Sequence, residues 1–191
     1  MKGNIRRRNF IRKKERYKDV VFERICREKF RFLEDQFGCK VSCESDRYGT
    51  YVTYQNLTTA IRIALEPREG GVFSCRLIRL IDGTIPPVPI FIKPDTPLHG
   101  FYVEYLLDLR ASSCKRYRPT IEELYKPTTY KKILTQYAYA VKRYAIDILC
   151  GDFRIFDELE KVVKKRAEES REERIKEESE QPKEGKHEET N

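Results

Sequence analysis

The chain of 191 residues carries 39 Lys/Arg against 31 Asp/Glu, a formal net charge of +8, with 39% hydrophobic and 37% charged residues. That length suffices for one buried core plus tails, and no apolar run approaches the roughly eighteen residues of a membrane span. A membrane-spanning helix is thereby excluded, and no membrane partner is expected.

The charge is unevenly placed. Residues 1–18 hold nine Lys/Arg and one Glu, a net of +8 that equals the charge of the whole chain. Arg6, Arg7, Arg8, Arg12, Lys13 and Lys14 repel one another, so this stretch reads as a disordered basic arm awaiting an acidic partner. The alternative is a frayed extension of the helix that follows. No apolar stretch lies behind the charged start, unlike a secretory signal. The six cysteines (Cys26, Cys39, Cys43, Cys75, Cys114 and Cys150) fall within strand and helix patterns, so reduced thiols and a cytoplasmic location are expected.

Asp19 to Phe37 has helical spacing in Val20, Val21, Ile25, Phe30, Leu33 and Phe37, with Asp19 as N-cap and Gly38 at the stop. A short strand follows, with Cys39, Val41 and Cys43 on one face. Tyr48 to Asp82 then contains three strand-forming runs separated by turn signals at Asn56–Thr58 and Gly70-Gly71. In Ala60–Glu66 the period is two: Ile61, Ile63 and Leu65 point one way, Arg62 and Glu66 the other.

Five prolines between Thr84 and Gly100 forbid a helix and a central strand. This segment reads as a strap over the core, with a short edge strand at Val88–Ile92. Phe101 to Arg110 is helical, with Tyr102, Leu106 and Leu109 inward. Thr120 and Glu123 form a capping-box pattern. Thr129 to Cys150 is the longest helical signal, through Tyr130, Ile133, Leu134, Tyr137, Val141, Ile148 and Leu149. Gly151 ends it, and Asp152 caps a last helix with Phe156, Leu159 and Val163 inward. Residues 157–191 hold nine Lys/Arg against thirteen Asp/Glu.

The fold class expected is α+β: an antiparallel sheet of four to five strands packed against three to four helices, with charged terminal extensions. The organisation is a basic arm (1–18), one α+β domain (19–165) and a charged tail (166–191), helical and then disordered.

Catalytic constellations are weak. Cys39 and Cys43 lie about 13 Å apart on an extended strand at roughly 3.3 Å per residue, too far for one zinc ion. There is no CxxC, and Gly70-Gly71 is a hairpin signal, not a phosphate loop. Paired acids such as Glu122-Glu123 sit at helix starts, where they complement the dipole. No catalytic residue, cofactor or metal is expected. Two features remain: the arm, and Arg110–Tyr144, where nine Lys/Arg meet two Glu with tyrosines interleaved. Arg116, Tyr117, Arg118, Tyr130, Lys131, Lys132, Arg143 and Tyr144 are the candidate contacts, since cations beside flat rings suit nucleic-acid backbones and stacked bases.

Phe30-x-Phe32-Leu33-x3-Phe37-Gly38, the strand meander, and Ile146-x-Ile148-Leu149-x-Gly151-Asp152-Phe153 together resemble small uncharacterised bacterial α+β proteins of the immunity-protein type, over residues 20–163. The resemblance implies a non-enzymatic binding protein and brings no catalytic residue. The function expected is therefore a soluble, non-enzymatic binding or interaction protein with a protein partner. The alternative is an RNA- or DNA-binding protein using the basic arm and the Arg110–Tyr144 patch.

Overall fold

The alternating Ile61–Ile63–Leu65 strand sits third in a five-stranded antiparallel meander, with strand order the same as chain order. The computed structural model describes residues 2–66, 72–113, 117, 119–120, 122–123 and 126–180. In chain order the elements are α1 (Lys2–Phe37), β1 (Lys40–Ser45), β2 (Thr50–Gln55), β3 (Thr59–Glu66), β4 (Val72–Arg79), β5 (Gly100–Tyr102), α2 (Val103–Arg110), α3 (Pro127–Tyr144), α4 (Ile146–Leu149) and α5 (Arg154–Glu180). This is the α+β class expected.

Turn chemistry sets the meander. Asp46 Oδ1 accepts from the N–H groups of Tyr48 and Gly49 at 2.7 and 2.9 Å, closing β1 onto β2. Gly49 is required there, because a Cβ would lie 2.4 Å from the Leu65 carbonyl. Asn56 Oδ1 accepts from Thr58 and Thr59 N–H at 3.0 and 2.8 Å, closing β2 onto β3. The same turn docks elsewhere: Asn56 Nδ2 donates to Leu149 O, and Thr59 Oγ1 donates to Ile148 O. The Gly70-Gly71 turn lies outside the described residues. After β4, Asp82 and Gly83 both have positive φ, at 51° and 72°, as a two-residue type I′ turn needs.

The inner face of the sheet carries the core. Val52, Tyr54, Ile61, Ile63, Leu65, Cys75, Leu77 and Phe101 meet Phe22, Ile25, Cys26, Phe30 and Leu33 of α1, and Tyr130, Ile133, Leu134, Tyr137 and Val141 of α3. All these side chains are buried.

Several expectations are corrected. The helix begins at Lys2, so the basic stretch is continuous with α1 and Asp19 is internal rather than a cap. Residues 2–37 contain no proline, and glycine occurs only at Gly3, so nothing interrupts the helix. Val20 is exposed, because the buried stripe runs through Val21, Phe22, Ile25 and Cys26. Val88–Ile92 forms no strand; Gly100–Tyr102 is the edge instead, paired with Arg76–Ile78. Four of the strap's five prolines fall between Pro86 and Pro94 and offer no N–H to a ladder. In α2 the buried residues are Val103, Leu106 and Leu107, while Tyr102 and Leu109 are largely exposed. The single helix expected over Thr129–Cys150 is two, broken at Ala145. Arg110 Nη1 donates to the Tyr144 carbonyl and to Asp147 Oδ1, taking up the backbone acceptor that the break exposes. Asp152 does precede α5, accepting from Arg154 N–H at 3.1 Å. Phe156 and Leu159 are buried and Val163 is half-buried, as their spacing predicts.

Candidate binding groove and basic helical face

The outer face of the sheet is not bare. Register places Ser42, Thr53, Arg62, Arg76 and Tyr102 in one row across all five strands. Arg62 and Arg76 are therefore directly opposed on adjacent strands, an arrangement that costs stability for like charges. Each guanidinium is held by its face: Arg62 lies 4.4 Å from the Tyr51 ring centroid and Arg76 lies 5.3 Å from that of Tyr102. Among the described residues neither forms an ion pair with a carboxylate. Arg76 Nη2 reaches the Gly100 carbonyl only at 3.4 Å, and its buried Nε has no acceptor among the described residues. The carboxylate of Glu66 accepts from the Tyr51 hydroxyl at 3.2 Å. Burial first, and that carboxylate second, push the Tyr51 phenol up to about 12.

The proline strap crosses this face. Ile85 packs on a small cluster of Ala60, Ile78 and Leu80, so the strap covers the outer face as a lid covers a tray. A groove of about 570 Å³ is left between strap and sheet, lined by Arg62, Arg76, Ile78, Ile85, Leu98 and Tyr105 among others. The strap is pinned from several sides. Lys164 Nζ donates to Pro94 O, Arg171 Nη2 donates to Ile92 O at 3.2 Å, and Arg79 N–H donates to His99 O at 2.7 Å. Its outer edge nevertheless leaves Ile90 89% and Phe91 78% exposed, with Val88 also exposed.

The sequence-predicted contacts divide into three groups. Arg6, Arg7, Arg8, Arg12, Lys13 and Lys14 occupy the first half of α1, and Arg116 and Arg118 lie outside the described residues. Lys131, Lys132 and Arg143 are brought together on the outward stripe of α3, all exposed. Of the predicted tyrosines, Tyr130 does not join them as a stacking platform. Tyr130 is 1% exposed, with its ring 5.1 Å from that of Phe73. It falls on the inward stripe with Ile133, Leu134 and Tyr137, at spacings of three, four and seven. Tyr117 is half-buried with Lys132 Nζ 5.2 Å from its ring, and Tyr144 is half-buried beside Tyr139. Tyr139, exposed and on the same stripe, was not singled out by sequence. Its spacing of seven from Lys132 and four from Arg143 is the signal that finds it. Lys142 completes the stripe, with Nζ 5.7 Å from the Phe32 ring of α1.

Burial pushes the Cys26 and Cys75 thiols well up and Cys39 to about 11, so all three are held as thiols at neutral pH. Among the described residues no group of three or more His, Cys, Asp or Glu is placed to hold a metal ion. Nor is any described helix long and apolar enough to cross a membrane. Comparison with protein-family models, curated proteins and solved structures returns no match to this chain.

Proposed function

We propose that this chain is a non-enzymatic interaction protein that engages a protein partner through the exposed edge of its proline strap. The observation that carries this reading is the pair Ile90 and Phe91. They are held out to solvent on a segment fastened by α5 and β4 rather than folded into the groove beside it. Leaving such side chains exposed forgoes about 1.5–3 kcal/mol each relative to full burial. Pro86, Pro87, Pro89 and Pro94 stiffen the strap, so little chain entropy is lost when a partner covers it. Exposed apolar surface on a rigid segment is the physical basis of a protein-binding edge.

Photo-crosslinking in the source cell tests this, with benzoylphenylalanine replacing Phe91 or, as a control, the 91% exposed Leu57. A discrete protein adduct from position 91 that disappears with Ile90→Ser is the expected result. Equal adducts from both positions, or none from position 91, refute the reading.

A second reading, nucleic-acid binding, is favoured by the α3 stripe: Lys131, Lys132, Lys142 and Arg143 are exposed on the same helix as exposed Tyr139, and α3 contains no Asp or Glu. It predicts that log affinity falls with log salt by about 0.9 per phosphate contact on duplex DNA, and that deleting residues 2–18 flattens the slope. Binding that vanishes by about 0.2 M salt is nonspecific charge attraction and leaves the interaction reading in place.

A further inference from the structure

We propose that the groove beneath the strap is a binding site for a small molecule bearing a phosphate monoester, gripped by Arg62 and Arg76. This goes beyond the strap-edge reading, since the ligand would sit on the inward side of the strap.

Five observations converge on an anion. Arg62 and Arg76 are cross-strand partners whose Cα atoms lie about 5 Å apart, and both line the groove. No carboxylate among the described residues forms an ion pair with either. The Arg76 Nε–H is a buried donor without an acceptor among the described residues, and an orphaned charged donor is what an incoming oxygen would satisfy. The two guanidiniums lie over the rings of Tyr51 and Tyr102, and a guanidinium can offer a bidentate pair of N–H donors to an oxyanion. Thr53 continues the row beside Arg62 with a hydroxyl that can donate to the same group.

Charge and size narrow the class. Two guanidiniums against Glu44, the acid in the groove lining, leave an excess that a phosphate dianion neutralises better than a single carboxylate. Ile78, Ile85, Leu98 and Tyr105 supply an apolar wall for an organic body. The volume of about 570 Å³ falls within the range of roughly 300–1,000 Å³ typical of small-ligand sites.

The test is calorimetric titration of the full chain with phenyl phosphate, inorganic phosphate and benzoate, alongside NMR of the arginine Nε–H signals. Phenyl phosphate is expected to bind saturably, at least about tenfold tighter than either of the others, and to shift the Arg76 Nε–H resonance. Arg62→Gln is expected to lower that affinity by about tenfold or more while the melting temperature is retained. The double variant Lys132→Gln/Lys142→Gln, which removes charge from α3 only, is expected to leave it unchanged. Should Arg76→Gln fail to fold, the Arg62→Gln titration and the wild-type resonance shift still decide the matter. Absence of saturable binding, equal affinity for benzoate, or an equal loss in the α3 variant overturns the proposal. Binding by phenyl phosphate unaffected by Arg62→Gln overturns it as well.

Discussion

Replacing Ile63 by Ala tests the register on which both faces of the sheet depend. Ile63 is fully buried, between Val52 of β2 and Cys75 of β4 on the inner face. Three carbons are removed, worth about 2.4 kcal/mol at roughly 0.8 kcal/mol per buried CH₂. The cavity left between two paired strands adds to this, for a total of about 3–4 kcal/mol within the usual range of about 2–5. At about 2–4 °C per kcal/mol for a chain of this size, Tm should fall by roughly 6–16 °C. Arg62→Ala, one residue away, behaves differently. It loses the stack on Tyr51, about 0.5–1 kcal/mol, but relieves the opposition of Arg76, which is of similar size. The net effect should lie within about 0.5 kcal/mol of zero. Urea unfolding followed by far-ultraviolet circular dichroism measures both. Equal losses in the two variants would place Ile63 and Arg62 on the wrong faces and remove the basis of the groove.

Other outcomes follow from single contacts. Arg110→Gln should cost about 1–2 kcal/mol, because it strands the Tyr144 carbonyl and the Asp147 carboxylate together. Asp147→Asn, which spares the carbonyl contact, should cost less, and the reverse order in denaturant unfolding would refute this account of the helix break. The hydrogen bonds from Arg154, side chain first and backbone second, lower Asp152 from 3.8 to about 2. A depressed carboxylate stabilises above its unfolded pKa, so this contribution is present above about pH 4 and lost as pH falls toward about 2. Asp152→Asn should flatten acid unfolding within that window; an unchanged acid limb would show that the pairing contributes nothing. With Cys39 buried and pushed up to about 11, its thiol should resist alkylation at pH 8 until denaturant is added, whereas exposed Cys150 should react promptly. Mass spectrometry of the alkylated peptides reads the order directly.

What sequence revealed was local. The alternation of Ile61, Ile63 and Leu65 marks β3 because one side of a strand repeats every second residue, and all three are buried. The long apolar stripe of α3 is visible for the same reason at a period of 3.6, from Tyr130 to Val141. The break at Ala145 has no local cause: Arg110, 34 residues before Tyr144, supplies the hydrogen bond that accompanies it. The row from Ser42 to Tyr102 was likewise invisible, since it exists only once five strands are in register. Tyr130 shows how composition misleads. A tyrosine beside Lys131-Lys132 looks like a stacking platform, but one helical step of about 100° turns it into the core. Tyr139, in a less basic neighbourhood, is the ring that faces out.

The strap edge and the α3 stripe make opposite demands on one measurement. Benzoylphenylalanine is placed at position 91 in one full-length protein and at position 139 in another, both are irradiated in cells, and the adducts are split by nuclease treatment. The account predicts a nuclease-resistant protein adduct at position 91 and no comparable adduct at position 139. A nuclease-sensitive adduct at position 139, with nothing at position 91, would contradict it and give the function to the basic face of α3.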